Sequence, residues 1–277
     1  MRVGSRIGLI APLAALTLAG SAAAQRGRRA DNDDWLEHCR ENSGRNDHVN
    51  YCEVRELGMR ATDRPLAVDA GQNGGVAVAA WDRDSILVSA RIQAQASSED
   101  EARDIARDIR IETSGGTVRA DGPSFGRGRS WSVSFEVFAP ERTDLRLDTY
   151  NGPIAVDGVS GRMELRAHNG PVALDHVGGD VHARTTNGPL RIKLDGRRWQ
   201  GAGLDAETTN GPVVLVIPGD YSARLETGTT NGPMSIDFPI TVQGRLSNHL
   251  SLELGSGGPP VRAITTNGPV TVRRGRD

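Results

Sequence analysis

The segment Thr185-Thr186-Asn187-Gly188-Pro189 contains a tripeptide, Asn-Gly-Pro, that occurs six times in the second half of this 277-residue sequence. The copies are separated by 18, 18, 23, 21 and 36 residues. They begin at Asn151, Asn169, Asn187, Asn210, Asn231 and Asn267. A short repeat of this kind is typical of stacked supersecondary units, each of which buries a face against its neighbours.

Apolar and polar residues alternate on both sides of each tripeptide, which is the pattern of a strand with one buried face. Six residues before the Asn, the residue is always apolar: Leu145, Met163, Val181, Leu204, Leu225 and Val261. Three residues after it, the residue is again apolar: Ile154, Val172, Leu190, Val213, Met234 and Val270. Each unit is therefore predicted to be a strand, an Asn-Gly-Pro corner, a second strand and a loop.

Two arrangements of these units are compatible with the corner. Gly adopts positive φ without steric cost, and Asn-Gly between strands is a strong signal for antiparallel hairpins. Proline directly after Gly argues against a hairpin, because Pro cannot donate a cross-strand hydrogen bond. We therefore favour an all-β fold, a parallel β-solenoid, in which the six asparagines are structural corners. Their side chains are expected to stack as an internal ladder with a spacing of about 4.8 Å.

The N-terminal segment predicts an exported protein, and the slightly acidic charge of the rest predicts that it does not bind nucleic acid. A basic start, an uncharged stretch from Ile7 and an Ala-rich end predict a signal peptide over residues 1–24, and hence a periplasmic or cell-surface location without a transmembrane anchor after cleavage. The remaining chain has 31 basic and 35 acidic residues, a formal charge of about −4. The charged segment 25–34 is predicted to be a linker.

The two cysteines, Cys39 and Cys52, bracket the next part of the chain, a lead-in over residues 35–65. In an exported protein such a pair predicts a disulfide. A Cys/His metal site with His38 and His48 is the alternative, although the spacing matches no zinc signature. We expect no metal or other cofactor.

Residues 66–140 are predicted to be a cap made of degenerate β repeats and one short helix, followed by the solenoid proper over residues 141–277. The helix is expected at Ser98–Ile109, where Ser98 and Glu101 match a capping box. A solenoid needs such a cap because its end strands are open edges.

No nucleophile elbow, phosphate-binding loop or zinc-protease motif occurs in the chain, so no catalytic residue is predicted. One column is the exception, six residues after each Asn: Asp157, Asp175, Lys193, Val216, Asp237 and Arg273. Stacking in register would make Asp157 and Asp175 adjacent, and paired carboxylates can bind a cation or perform acid–base chemistry. A solvated polar face explains the same residues, and we prefer it.

The repeated strand-Thr-Asn-Gly-Pro-strand pattern, preceded by the cysteine pair and Glu53-Val54-Arg55-Glu56, resembles the bacterial putative-adhesin domain family. The resemblance covers about Leu66 to Val272 and implies an exported β-solenoid domain. The usual corner in that family has a polar residue after Asn-Gly, where this chain has Pro. The family offers no catalytic residues to carry over.

These observations predict a non-enzymatic scaffold of the cell envelope, an adhesin-like protein that binds an envelope protein or glycan through its repeat surface. One alternative is a polysaccharide lyase or hydrolase that uses Asp157 and Asp175. The other is a self-assembling structural protein of the envelope.

Overall fold

The computed structural model describes residues 31–41, 48–124, 126, 128–237 and 248–275. The predicted signal peptide, residues 1–24, and the first part of the predicted linker lie outside these residues. Within the described residues, neither helix is long and apolar enough to cross a bilayer.

The described strands form two ten-stranded sheets. Sheet A has the order β1 (Val49–Arg60), β4 (Ser85–Ala96), β7 (Ser130–Pro140), β3 (Val76–Trp81), β9 (Ile154–Asp157), β11 (Val172–Asp175), β13 (Leu190–Lys193), β15 (Val213–Ile217), β20 (Val270–Arg274) and β17 (Met234–Ile236). Sheet B has the order β18 (His249–Leu254), β16 (Ala223–Asn231), β19 (Pro260–Asn267), β14 (Gly203–Asn210), β12 (Gly178–Asn187), β10 (Ser160–Ala167), β8 (Leu145–Thr149), β2 (Leu66–Asp69), β6 (Thr117–Asp121) and β5 (Arg110–Glu112).

Each repeat contributes one strand to each sheet, so the chain winds as a parallel β-solenoid. The strand before Asn-Gly-Pro lies in sheet B and the strand after it lies in sheet A, and both pair in parallel with the equivalent strands of the next repeat. The predicted apolar positions fill the space between the sheets: Leu165 and Val181 of sheet B, and Leu174 and Ile192 of sheet A, are at most 1% exposed. The predicted fold class is confirmed.

The coils do not stack in the order of the sequence. Strand β19 lies between β14 and β16, and β20 lies between β15 and β17, so the last repeat is inserted between the two repeats that precede it. A stack in the order of the sequence would place the last repeat at the end of the solenoid, and the structure does not have that order. The identical corners and matching apolar positions make this insertion possible, because the last repeat pairs in the same register with the coils on both sides.

The first coil of the solenoid is formed by β2 and β3, with the corner Gln72-Asn73-Gly74-Gly75 between them. Beyond this coil, sheet A continues through β7, β4 and β1, in which β4 is antiparallel to both of its neighbours. Helix α2 (Glu99–Asp108) contacts β1 and β4, and Ser98 accepts a hydrogen bond from the Glu101 N–H at 3.3 Å, as an N-cap residue does.

A second helix, α1, covers residues 31–41 and was not predicted. The linker predicted through residue 34 is therefore wrong over its last four residues. Asn32 explains the difference, because its side chain is buried, donates to Ser89 Oγ at 3.2 Å and accepts from Arg91 Nε at 2.9 Å. The predicted disulfide between Cys39 and Cys52 is confirmed and joins α1 to β1.

Candidate functional site

The asparagines of the corners form a ladder along the solenoid. Each side-chain amide donates to the side-chain oxygen of the neighbouring Asn at 2.8–3.1 Å, in the order Asn231, Asn267, Asn210, Asn187, Asn169, Asn151 and Asn73. The ladder is exposed to solvent, whereas we expected an internal one. The chain bends at each corner, so the alternation of buried and exposed residues does not continue through the Asn.

Buried threonines provide the internal counterpart of this ladder. The hydroxyl of Thr185 donates to Gly170 O at 2.8 Å, and Thr208 donates to Gly188 O at 2.8 Å. Thr265 and Thr229 make the same bond, each to the corner Gly of the adjacent coil. The sequence signal is the threonine two residues before the Asn. Ala167 replaces it in one coil, where the carbonyl of Gly152 already accepts a bond from Thr149 at 2.9 Å.

Asp157 and Asp175 lie side by side on the outer face of sheet A, at the ends of β9 and β11. Lys193 is the next residue in the same row, followed by Val216 and Arg273. Asp237 lies beyond Arg273, because the last repeat is inserted before it. The structure therefore brings together the two acids and Lys193 and keeps Asp237 apart from them.

His176 joins this row and was missed by the sequence argument, which assigned it no role. Its Nδ1 lies 3.1 Å from Asp157 Oδ1 and 3.0 Å from Asp175 Oδ1. The residue has φ of 51°, and it is the only non-glycine with positive φ among the described residues. The equivalent residue of the previous coil is Gly158, with φ of 71°. A left-handed backbone is uncommon at residues other than Gly, although Asn, Asp and His adopt it more often than the rest, and it recurs at functional sites.

Lys193 is the only lysine among the 33 Lys and Arg residues of the sequence. Its Nζ lies 3.2 Å from Asp175 Oδ1 and 3.5 Å from His176 Nε2. A neutral imidazole that donates from Nδ1 to Asp157 and accepts at Nε2 from Lys193 satisfies both contacts. The four residues Asp157, Asp175, His176 and Lys193 are called the acid–histidine cluster below.

A shallow groove of about 360 Å³ runs across the outer face of sheet A beside this cluster. Its floor is a row of three alanines on adjacent strands, Ala77, Ala155 and Ala173. Glu136 on β7 closes the row at one end and Arg191 on β13 closes it at the other. The groove thus combines an apolar floor with charged groups of both signs.

The charged residues on the outer face of sheet B pair with one another, as Glu136 and Arg91 do on sheet A at 2.9 Å. Arg184 contacts Glu207 at 2.8 Å and Asp205 at 3.3 Å, and Arg262 contacts the same two acids. His182 lies 3.2 Å from Asp180 and 3.8 Å from Asp205. This network resembles a solvated polar surface, in which exposed pairs contribute little to stability.

The Cys/His alternative is wrong for the cysteines, because their thiols form the disulfide and are not available as thiolate ligands. His38 instead contacts Asp34 O within helix α1 at 3.2 Å.

A family model described as Toastrack DUF4097 matches residues 72–273 of the sequence. The chain belongs to this family. The match agrees with the resemblance to putative-adhesin domains and with the stacked strands described above. No functionally curated protein matches the sequence.

The comparison with solved structures finds matches from several bacteria, with TM-scores below 0.5. A putative cell adhesion protein from Clostridium sporogenes is 10% identical, with a TM-score of 0.41 over 80% of this chain and 100% of that one. A putative adhesin from Bacteroides fragilis is also 10% identical, with a TM-score of 0.38 over 81% of this chain and 97% of that one. A protein from Parabacteroides distasonis titled a putative lipid binding protein is 9% identical, with a TM-score of 0.29 over 81% of this chain and 97% of that one.

Proposed function

We propose that this protein is a non-enzymatic binding protein of the cell envelope, exported to the periplasm or cell surface, that holds a glycan in the groove of sheet A. The groove carries this proposal. Its alanine floor leaves room above a rigid sheet, and Glu136, Arg191 and the acid–histidine cluster offer hydrogen-bond acceptors and donors to sugar hydroxyls.

The test is a panel of purified envelope and plant polysaccharides, assayed for binding and for turnover. Ala155→Tyr would fill the groove, and Thr186→Tyr, on the outer face of sheet B, is the matched control. We expect binding that is lost in the groove variant, kept in the control and unaccompanied by turnover. Binding that is unchanged by Ala155→Tyr would contradict the proposal.

A second candidate, a polysaccharide lyase or hydrolase, is favoured by one observation: Asp157 and Asp175 both contact His176 at the edge of the same groove. Glycoside hydrolysis commonly uses two carboxyl groups on either side of the scissile bond. The double variant Asp157→Asn, Asp175→Asn separates the two functions. Turnover that disappears in the double variant would identify an enzyme, whereas binding without turnover in the wild-type protein supports the scaffold.

A further inference from the structure

The acid–histidine cluster has three potential metal ligands within reach of a single ion. One carboxylate oxygen from Asp157, one from Asp175 and a ring nitrogen of His176 all lie within 4.8 Å of one another. We propose that these three residues bind a divalent first-row transition-metal ion such as Zn²⁺. This inference does not depend on the proposed glycan.

The distances around His176 Nδ1 are those of ordinary hydrogen bonds and also fit donors that share an ion. Zinc binds nitrogen and oxygen ligands at about 2.0–2.2 Å, so two ligands in octahedral or tetrahedral positions are about 2.9–3.4 Å apart. Nδ1 lies 3.0 Å from one Asp oxygen and 3.1 Å from the other. The side chains are between 42% and 65% exposed, so solvent can supply the remaining ligands.

Asp175 provides a second, independent observation. Its Oδ1 is closed off from solvent, yet it accepts no hydrogen bond of acceptable geometry, although His176 Nδ1 and Lys193 Nζ are 3.0 and 3.2 Å away. Lys193 offsets part of the charge of this carboxylate, but it donates to Oδ2, at 3.4 Å, which leaves Oδ1 for a further partner. His176 has the left-handed backbone conformation that Gly158 has at the equivalent position of the neighbouring coil.

The ligand set selects the type of ion. Ca²⁺ and Mg²⁺ prefer a shell of oxygen ligands, whereas an imidazole together with carboxylates suits Zn²⁺ and its neighbours in the first transition row. Lys193 opposes the ion, because its ammonium group contacts Asp175 and His176 in the metal-free arrangement. Metal binding therefore requires Lys193 to move away from the two ligands and Nδ1 to present its lone pair to the ion.

Titration of the full-length mature protein with Zn²⁺ and Co²⁺, after dialysis against EDTA, tests the site. We expect binding of one ion per chain, and for Co²⁺ a visible absorption band from a coordinated ion. His176→Gly, which copies Gly158, and Asp157→Asn should abolish the band. His182→Gln is the matched control, because His182 also lies between two acids but outside the cluster, and it should leave the band unchanged.

Lys193→Met should strengthen Co²⁺ binding by at least about tenfold, because it removes a positive charge next to the ion and keeps most of the aliphatic chain. His176→Gly should melt at or above the wild-type temperature without metal, since Gly adopts the left-handed backbone freely, so its loss of binding cannot be attributed to unfolding. The proposal is wrong if no Co²⁺ band forms, if the band survives His176→Gly, or if Ca²⁺ binds equally well and independently of His176.

Discussion

Two kinds of side chain join each coil of the solenoid to the next, and each acts at a different depth. Exposed asparagine amides form a ladder on the outside, and buried threonine hydroxyls bind glycine carbonyls within the stack. The side-chain network is therefore periodic. The asparagine that contributes least to stability should be one that has a ladder neighbour on one side only. In the described ladder, that residue at the C-terminal end is Asn231, not Asn267.

Asn267→Ala should destabilise the protein more than Asn231→Ala. Asn267 donates to Asn210 and accepts from Asn231, whereas Asn231 has only the bond to Asn267 in the ladder. With about 0.5–1.5 kcal/mol for each bond, the loss at Asn267 is expected to be about twice that at Asn231. Urea melts of both variants measure the difference, and a larger loss at Asn231 would contradict the inserted position of the last coil.

Single residues mark the limit of what the sequence predicts. The adjacency of Asp157 and Asp175 follows from their equal distance to the repeated Asn, and it is observed. The contribution of His176 does not follow, because its position depends on a left-handed backbone angle that the residue type alone does not predict. Two signals were available nonetheless: His176 aligns with Gly158, and Lys193 is the only lysine of the chain.

At the scale of the strand and corner, the Asn-Gly-Pro tripeptides require glycine because there is no room for a side chain at that position. Conformational freedom suggested itself from the sequence, but of the six Asn-Gly-Pro glycines only Gly268 has positive φ. A Cβ built on Gly170 would overlap the carbonyl oxygen of Gly152, and one on Gly188 would overlap that of Gly170. The corners of neighbouring coils therefore approach one another more closely than any residue with a Cβ atom would allow.

Gly170→Ala should be strongly destabilising, because the new methyl group meets backbone that is fixed by strand pairing on both sides. Overpacking of this kind costs about 1–3 kcal/mol and sometimes more. Gly58→Ala is the control, since the same methyl group on strand β1 has nothing within 4 Å. Thermal unfolding should show a clear loss for Gly170→Ala and no loss for Gly58→Ala.

Elements were predicted with unequal success for a physical reason. Helix α2 carries its own signals, a cap and an apolar face, and was predicted almost to its ends. Helix α1 is held by contacts that are distant in sequence, from Asn32 to Ser89 and from Cys39 to Cys52, and local composition suggested a linker instead. The order of the last coils depends on a choice among equivalent partners, which the repeats make indistinguishable.

For the molecule as a whole, stability should decline in strongly alkaline solution because of one buried phenol. Tyr221 is 4% exposed, and burial, together with the negative charge of Asp195, raises its pKa above the usual value. A raised pKa means that the unfolded chain loses this proton first. The contribution of Tyr221 is thus complete below about pH 10 and is lost as the pH rises further.

Tyr221→Phe should therefore flatten the alkaline side of the stability profile, measured as the free energy of unfolding in urea between pH 8 and 11. Tyr150→Phe, which removes a phenol at the surface, is the control. An alkaline decline of equal slope in the wild type and in Tyr221→Phe would show that other groups cause it.

The strands β19 and β20 lie between coils that are synthesised before them, and this has a consequence for the time course of folding. A ribosome makes residues 223–236 before residues 260–274, so the strands β16 and β17 exist before their own neighbours in the sheets do. If they docked directly onto β14 and β15, where the registers also match, the later segment would find its place occupied. Correct assembly therefore requires one of two routes. Either the strands β16 and β17 leave this place open until β19 and β20 are made, or they dock there first and later exchange partners slowly. A refolding experiment would show the slow exchange as a second, slower phase.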